Sequence, residues 1–253
     1  MNIFIQTLVF AGLLILSCVA NAQKWYQVEV IIFSQHDKFG DEGSKAKLKL
    51  GYPANLIELS AQPGLEELAD NNTFNLLDKK ARRLAPDAYS LNSTGVYRVL
   101  YHQVWEQPGL RPGLAPWIAV QGGREIADHH QLEGSIRLYL SDYLHLDSNL
   151  WLIETGQSVD PVVAISPIES GMVMNRYRTT DQLPEQPKFE PGANSQLATQ
   201  TTQSISRSVL INKIDVLEES VRLQLDKLHY IDHPRMGLLV RVSRRKIATT
   251  NTD

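Results

Sequence analysis

The sequence predicts an α+β fold: a mostly antiparallel sheet, one or two covering helices and a long flexible excursion. Three observations lead there. Trp25 to Phe33 alternates apolar and polar residues with β-branched side chains, the signature of a strand with one face in the core. Glu133 to Thr155 repeats that pattern on either side of a turn-forming stretch, as a hairpin does. No regular succession of strand and helix points to a parallel, doubly wound sheet.

The chain opens with an apolar run from Ile3 to Val19, which ends in Ala20-Asn21-Ala22. The run is shorter than the roughly 20 apolar residues a membrane span needs, and its small-x-small ending suits signal peptidase. Residues 1–22 therefore read as an export signal and the mature chain, starting at Gln23, as working outside the cytoplasm. No Lys or Arg precedes the apolar run, unlike most such signals. The competing reading is a buried N-terminal strand or helix. Cys18, the single cysteine, follows Ile15-Leu16-Ser17 in a weak lipobox, and a lipid anchor there is the lesser expectation. Cleavage after Ala22 leaves no cysteine, hence no disulfide, thiolate nucleophile or Cys-ligated zinc.

In the first strand Tyr26, Val28, Val30 and Ile32 face the core, and Gln27 and Glu29 face away. Ser34 to Ala61 reads as a loop, and Leu65 to Ala69 as a helical turn. Leu76 to Tyr89 reads as a surface helix that Pro86 ends early. Val96 to Glu106 is a strand closed by Pro108-Gly109, and Trp117 to Gln121 is a short strand ended by a Gly122-Gly123 turn. In the hairpin, Ile136, Leu138, Leu140, Leu144 and Leu146 line one face, Asp142 marks a bulge or an exposed end, and Asp147-Ser148-Asn149 is the turn before a returning strand, Leu150 to Thr155. From 157 to 208 the pattern decays. Gln, Ser, Thr and Pro make up more than half of the later part, so a flexible excursion is expected. Asp215 to Lys227 fits a strand or a helix. Gly237 to Ser243 is the last strand, before a basic tail at Arg244-Arg245-Lys246. One domain, 23–247, with a polar tail at 248–253 accounts for the chain.

The net charge of -3 argues against a dedicated nucleic-acid binder, and 43% hydrophobic content is ordinary for a globular fold. No G-x-S-x-G elbow is present, and Ser-x-x-Lys lacks its usual companions. Of the seven histidines (36, 102, 129, 130, 145, 229 and 233), His229 and His233 are four apart. Their HYIDH setting looks extended and lacks the Glu of a metalloprotease helix, so a turn network is favoured over a metal. No cofactor is implied. Glu29, Glu106, Glu133 and Asp147 lie on or beside candidate strands and could pair as a glycosidic acid and base, though charged residues on a wet sheet face are the ordinary expectation.

Glycan or peptide binding is the remaining chemistry. Aromatic rings stack on sugar faces, and arginine forks grip carboxylates. The polar face of the hairpin offers Arg137, Tyr139, Tyr143 and His145, with Trp105 and Trp151 expected near this sheet. Each has an ordinary alternative as a cross-strand packing residue.

Two stretches carry a family resemblance: Trp25-Tyr26-Gln27-Val28-Glu29-Val30-Ile31-Ile32-Phe33, and Leu228-His229-Tyr230-Ile231-Asp232-His233-Pro234-Arg235-Met236-Gly237-Leu238-Leu239-Val240. Tyr97 to Trp105 and the Arg137 to Leu152 hairpin lie between them in the same order. Together they resemble the CsiV family of periplasmic peptidoglycan-binding proteins of Gram-negative bacteria. The resemblance spans nearly all of the mature chain, and the 228–237 stretch is its most specific part. It implies a non-enzymatic accessory protein that binds peptidoglycan and promotes cell-wall synthesis, together with a penicillin-binding synthase and that enzyme's outer-membrane lipoprotein activator. It brings no catalytic residues. A basic cluster implied just before Leu228 is thin here: Arg222 remains, while Val221 and Gln224 stand where further basic residues would be. The resulting binding set is Arg137, Tyr139, Tyr143, His145, His229, Asp232 and His233. The alternatives are a purely protein-binding envelope scaffold, acting through an edge strand or the excursion, and a cell-wall hydrolase using paired carboxylates.

Overall fold

The computed structural model describes residues 24–35, 50–59, 74–155, 178–189 and 209–245. The export signal, Cys18, the expected turn at Leu65 to Ala69 and the polar tail lie outside the described residues.

Eleven strands form two sheets among the described residues. In chain order they are β1 (Trp25–Gln35), β2 (Leu56–Ile57), β3 (Asn75–Leu76), β4 (Tyr97–Pro108), β5 (Trp117–Ile126), β6 (His129–Leu140), β7 (Leu144–Thr155), β8 (Arg178–Thr179), β9 (Leu210–Leu223), β10 (Leu228–His233) and β11 (Met236–Arg244). The first sheet has the order β10-β11-β1-β4-β3, and the second β2-β5-β6-β7-β9-β8. Every pairing is antiparallel except the short β2–β5 contact. The chain is thus mostly β, and its helical share is small: one α-helix, α1 (Ala85–Ser93), among the described residues. That helix is too short to cross a membrane.

The sheets enclose one apolar core. Val28, Val30 and Ile32 of β1 and Leu238 and Val240 of β11 meet Ile136, Leu138, Leu146 and Leu150 of the second sheet there. Strand alternation puts the intervening residues on the two outer faces, and both outer faces are partly covered.

On the first sheet, α1 covers β1, so Ile31 and Phe33 pack against Leu84 and Ala88. The strand predicted to be wet on one side is therefore buried on both. Gly237 stands opposite Phe33 on β11, and a side chain there would collide with the Phe33 ring. Pro86 opens α1 rather than closing a helix. Proline is suited to a first turn, where its missing N–H would have had no partner. The segment before it runs through β3 and a 3-10 turn at Lys79–Ala81.

Two further turns sit elsewhere than expected. β5 continues through Gly122 and Gly123 to Ile126; the glycines form a bulge, with Gly123 at φ +77°, and the chain reverses at Ala127-Asp128. The β6–β7 hairpin turns at Ser141-Asp142-Tyr143, which puts Asp147, Ser148 and Asn149 inside β7. Of the stretch 157–208, residues 178–189 are described: β8 pairs with β9, and Leu183 is buried against Ile211 and Ile214. Asp215 to Leu223, open between helix and strand in the sequence, belongs to β9.

Candidate functional site

The outer face of the second sheet is defined by its register. Reading across β6, β7 and β9, the outward residues form rows: Tyr139, His145 and Arg222; Arg137, Asp147 and Ser220; Ser135, Asn149 and Glu218; Glu133, Trp151 and Val216. On β5, Trp117 lies beside Arg137, because Ile118 pairs with Ile136.

At the end of this face nearer Glu133, everything is sealed. Trp151, Ile153, Ile211 and Ile214 pack beneath Leu183, and Tyr52 meets Trp151 edge-on at 5.0 Å. Glu133 is fully buried and takes donors from four segments. The His130 N–H donates at 2.7 Å, Trp151 Nε1 at 3.3 Å and the Tyr52 hydroxyl at 3.4 Å, His129 Nδ1 lies at 3.1 Å, and the Gln186 amide donates as well. Burial, then the Glu133 charge and hydrogen bond, push the Tyr52 hydroxyl well above the ordinary phenol range. Gln121 Nε2 donates to Gln186 Oε1 at 2.6 Å, fixing the crossing segment to β5.

Toward the His145 end the face opens into a groove of about 770 Å³. That volume is within the range of small-molecule sites. Leu50 to Pro53 form one rim and Glu218 to Ser220 another, and Trp117, Tyr139, Asp147 and Asn149 line the space between. Asn149 Nδ2 donates to the Gly51 carbonyl at 2.9 Å and holds the first rim in place. A stacked ladder runs along this part. The Arg137 guanidinium lies 4.7 Å from the Trp117 ring centre and 5.1 Å from that of Tyr139, and the Tyr139 and His145 rings stack at 5.2 Å, nearly parallel. Arg137 Nη2 pairs with Asp147 Oδ2 at 2.6 Å and Nη1 donates to the Pro112 carbonyl at 3.3 Å. Ser220 Oγ donates to Asp147 Oδ1 at 2.7 Å. At the hairpin tip, Tyr143 is about half exposed beneath the Arg222 guanidinium, 3.1 Å from the ring centre.

The predicted residues thus divide. Arg137, Tyr139 and His145 share one ladder, with Tyr143 at the adjacent turn. His229, Asp232 and His233 lie on β10, at the edge of the other sheet. There they serve their own hairpin: the Gln224 N–H donates to His229 Nε2 at 2.9 Å, the Arg235 N–H donates to His233 Nδ1 at 3.2 Å, and the Tyr230 hydroxyl donates to Asp232. Burial lowers the His233 pKa, keeping the ring neutral. Arg235 Nη2 bonds Glu154 Oε2 at 2.7 Å and so ties the β10–β11 turn to the far end of β7. Nine strand residues separate Glu154 from His145, roughly 30 Å. His229 and His233, four apart on a strand, are about 13 Å apart and cannot share one ion. Among the described residues no three His, Cys, Asp or Glu side chains converge on a metal position.

Both tryptophans expected near this sheet lie on or against it, but they are buried. Trp105 is buried between the sheets, donating to Gln107 Oε1 at 2.8 Å, and Trp151 is buried under Tyr52. Neither ring is open to a ligand. Of the four carboxylates considered as acid and base, one pair is too far apart and the other two are each engaged by other groups. Glu133 and Asp147 are four strand positions apart, about 13 Å, beyond the ~9.5 Å that glycosidic acid/base pairs use. Glu106 lies 3.1 Å from Arg245. Glu29 accepts the Arg83 and Leu84 N–H groups at 2.8 and 2.9 Å and faces His102 Nε2 at 2.8 Å, so it caps the entry to α1. Burial works against its charge, yet the His102 and backbone hydrogen bonds hold its carboxyl below the usual range.

Sequence reasoning missed Trp117 as a ligand-facing ring, together with the rim at 50–53 and the Glu218–Ser220 wall. Trp117 lies 20 residues before Arg137, and only the strand register places the two side by side.

Residues 4–245 match the family model described as peptidoglycan-binding protein, CsiV. No curated protein and no solved structure matches the chain.

Proposed function

The chain belongs to the CsiV family of peptidoglycan-binding proteins, and from that premise we propose that it holds peptidoglycan in the groove on the outer face of its second sheet. The observation that carries this reading is the partly exposed ladder of Trp117, Arg137, Tyr139 and His145, of which Trp117 and Tyr139 line a groove of about 770 Å³. Flat rings and a flat cation offer stacking surfaces for sugar faces, while Asn149, Ser220 and the neighbouring carboxylates offer partners for hydroxyls and amides. The role is binding without catalysis, in the periplasm, reached through the N-terminal export signal. In the fuller form of the proposal, the protein is an accessory to wall synthesis that works beside a penicillin-binding synthase and its outer-membrane lipoprotein activator.

The protein-binding alternative draws on a different surface. β10 is the edge strand of the first sheet and exposes Leu228 and Tyr230 on its outer side. Exposed apolar edge strands are ready partners for another chain, so this edge suits a protein contact alongside wall binding.

Co-sedimentation with purified sacculi tests the proposal, with the supernatant analysed for released muropeptides. Wild-type protein is expected in the pellet over a clean supernatant, and Trp117→Ala/Tyr139→Ala protein in solution. Wild-type protein left in solution would overturn wall binding. Released fragments would replace binding with hydrolysis.

A further inference from the structure

The rows of the second sheet's outer face change from covered to open at one place. In the row of Ser135, Asn149 and Glu218, Ser135 is fully buried, Asn149 is half-buried and Glu218 is exposed. The cover therefore ends at Asn149. The segment that ends it, Leu50 to Pro53, belongs to no strand and forms one rim of the groove. Two nearby points are anchored independently of Asn149. The Tyr52 hydroxyl donates to Glu133 at 3.4 Å and its ring meets Trp151, and the Trp117 N–H donates to the Asn55 carbonyl at 2.8 Å where the chain enters β2. Gly51 is held differently. Its carbonyl accepts from Asn149 Nδ2 at 2.9 Å, and open space lies where a side chain would be, so packing on that side does not fix it. Gly51 and Asn149 both line the groove.

Resting on the reading of the groove as the peptidoglycan site, we propose that Asn149 is a positioning residue for that ligand: its amide N–H fixes the Gly51 carbonyl, and through it the width of the groove between the 50–53 rim and the rings of Trp117 and Tyr139. It acts through Gly51 rather than by touching the ligand. A rim set before the ligand arrives spares the ordering that binding would otherwise cost. Asparagine suits the task because its amide nitrogen donates to a carbonyl. An ionised carboxylate of the same shape presents only acceptors and would repel that carbonyl.

The test follows the rim and the ligand separately. Protein from Gln23 onward contains no cysteine, so Gly51→Cys gives a single thiol that carries a nitroxide label into the open space at that position. The electron paramagnetic resonance line width then reports rim motion, in the otherwise wild-type chain and with Asn149→Asp or Asn149→Ser added. Sacculus dissociation constants and urea midpoints are measured for the same Asn149 variants without the label, at pH 7 and about pH 4. At pH 7 both variants are expected to narrow the spectrum and to weaken binding about five- to ten-fold, the size expected of one hydrogen bond, with little change in midpoint. At the lower pH the carboxyl introduced by Asn149→Asp is partly protonated, with Glu218 and Asp147 as its charged neighbours, and its O–H can again donate to Gly51. Its spectrum and its binding relative to wild type should then recover together, whereas Asn149→Ser, with its shorter side chain, should stay impaired. Weakened binding with an unchanged spectrum overturns the proposal, because Asn149 would then meet the ligand directly, and so does a narrowed spectrum with unchanged binding. Both results leave the peptidoglycan reading in place. Wild-type protein that fails to pellet with sacculi overturns that reading and this proposal together.

Discussion

Glu133 and Arg137 stand four residues apart on the same face of β6, yet their surroundings differ completely. Glu133 is sealed beneath Tyr52 and Gln186 with its oxygens taken up by donors from several segments. Arg137 lies partly buried beside the groove, stacked between two of its rings, and its Nε has no hydrogen-bond partner among the described residues. The first arrangement gathers distant pieces of chain onto the sheet. The second keeps polar and aromatic surface available that folding did not need to cover. A buried charge is tolerated only when fully partnered, so the sealed end of the face reports on stability and the open end on binding.

The largest effect should come from breaking the sealed end. Glu133→Ala strands the Tyr52 hydroxyl, the Trp151 and Gln186 N–H groups and the His130 backbone N–H in a buried site. A loss of about 3–5 kcal/mol is expected, read from urea denaturation. Protein that remains folded should still pellet with sacculi, with affinity lowered less than by loss of Trp117 and Tyr139, since Tyr52 on the groove rim also loses its Glu133 partner. A normal denaturation midpoint would show that Glu133 is not the organising group described here.

The open end should behave in the opposite way. Replacing Trp117 and Tyr139 together with Ala removes two partly exposed rings and leaves the inter-sheet core untouched. Stability should change by about 1 kcal/mol or less, as is usual away from buried features. Sacculus affinity should fall about ten-fold or more, since stacked aromatic contacts contribute roughly 0.5–1.5 kcal/mol each beyond burial. Collapse of stability with binding retained would reverse the assignment of the two ends.

Glu29, on the other sheet, provides a control of the same kind as Glu133. Its folded pKa lies below the ordinary carboxylate value, so the unfolded chain takes up a proton first as pH falls. Its contribution is complete above the unfolded pKa and disappears as pH drops through the folded one. Wild-type melting temperature should therefore decline below about pH 4.5 more steeply than that of Glu29→Gln. Parallel acid limbs would mean that Glu29 gains nothing from the Arg83, Leu84 and His102 contacts.

The strands were legible because alternation reports directly on a sheet face that meets the core: β1 and β4 lie close to where their patterns put them, and Glu133 to Thr155 does form most of a hairpin. The turns were not. Asp147-Ser148-Asn149 has turn composition, yet Asp147 and Asn149 are polar because they face the groove, and Ser148 bonds across to β9. Gly122-Gly123 looks like a reversal and is a bulge. Pro86 reads as a helix end because proline is excluded from helix interiors, while its tolerance of the first turn carries equal weight. Arg137, Tyr139 and His145 could be placed on one face by period alone. Their contact with Trp117 and the wall at Glu218 depends on register between strands far apart in sequence, which composition does not encode.

Arg137→Lys is the smallest and most discriminating change, because Arg137 sits where the two ends of the face meet. Lysine keeps the positive charge opposite Asp147 but loses the flat fork that lies between Trp117 and Tyr139. The ion pair is partly exposed, so its weakening should cost only about 0.5 kcal/mol of stability. Binding should weaken about two- to three-fold, because the ladder loses its central plane while the rings remain. The ratio of the two effects carries the information. A stability loss of several kcal/mol would place Arg137 with Glu133 among the groups that assemble the fold. Unchanged binding would mean that the ladder is a packing feature of the sheet and that the ligand contacts the groove elsewhere. A small loss in both, with the larger share in binding, is what a residue at the boundary between fold and site should give.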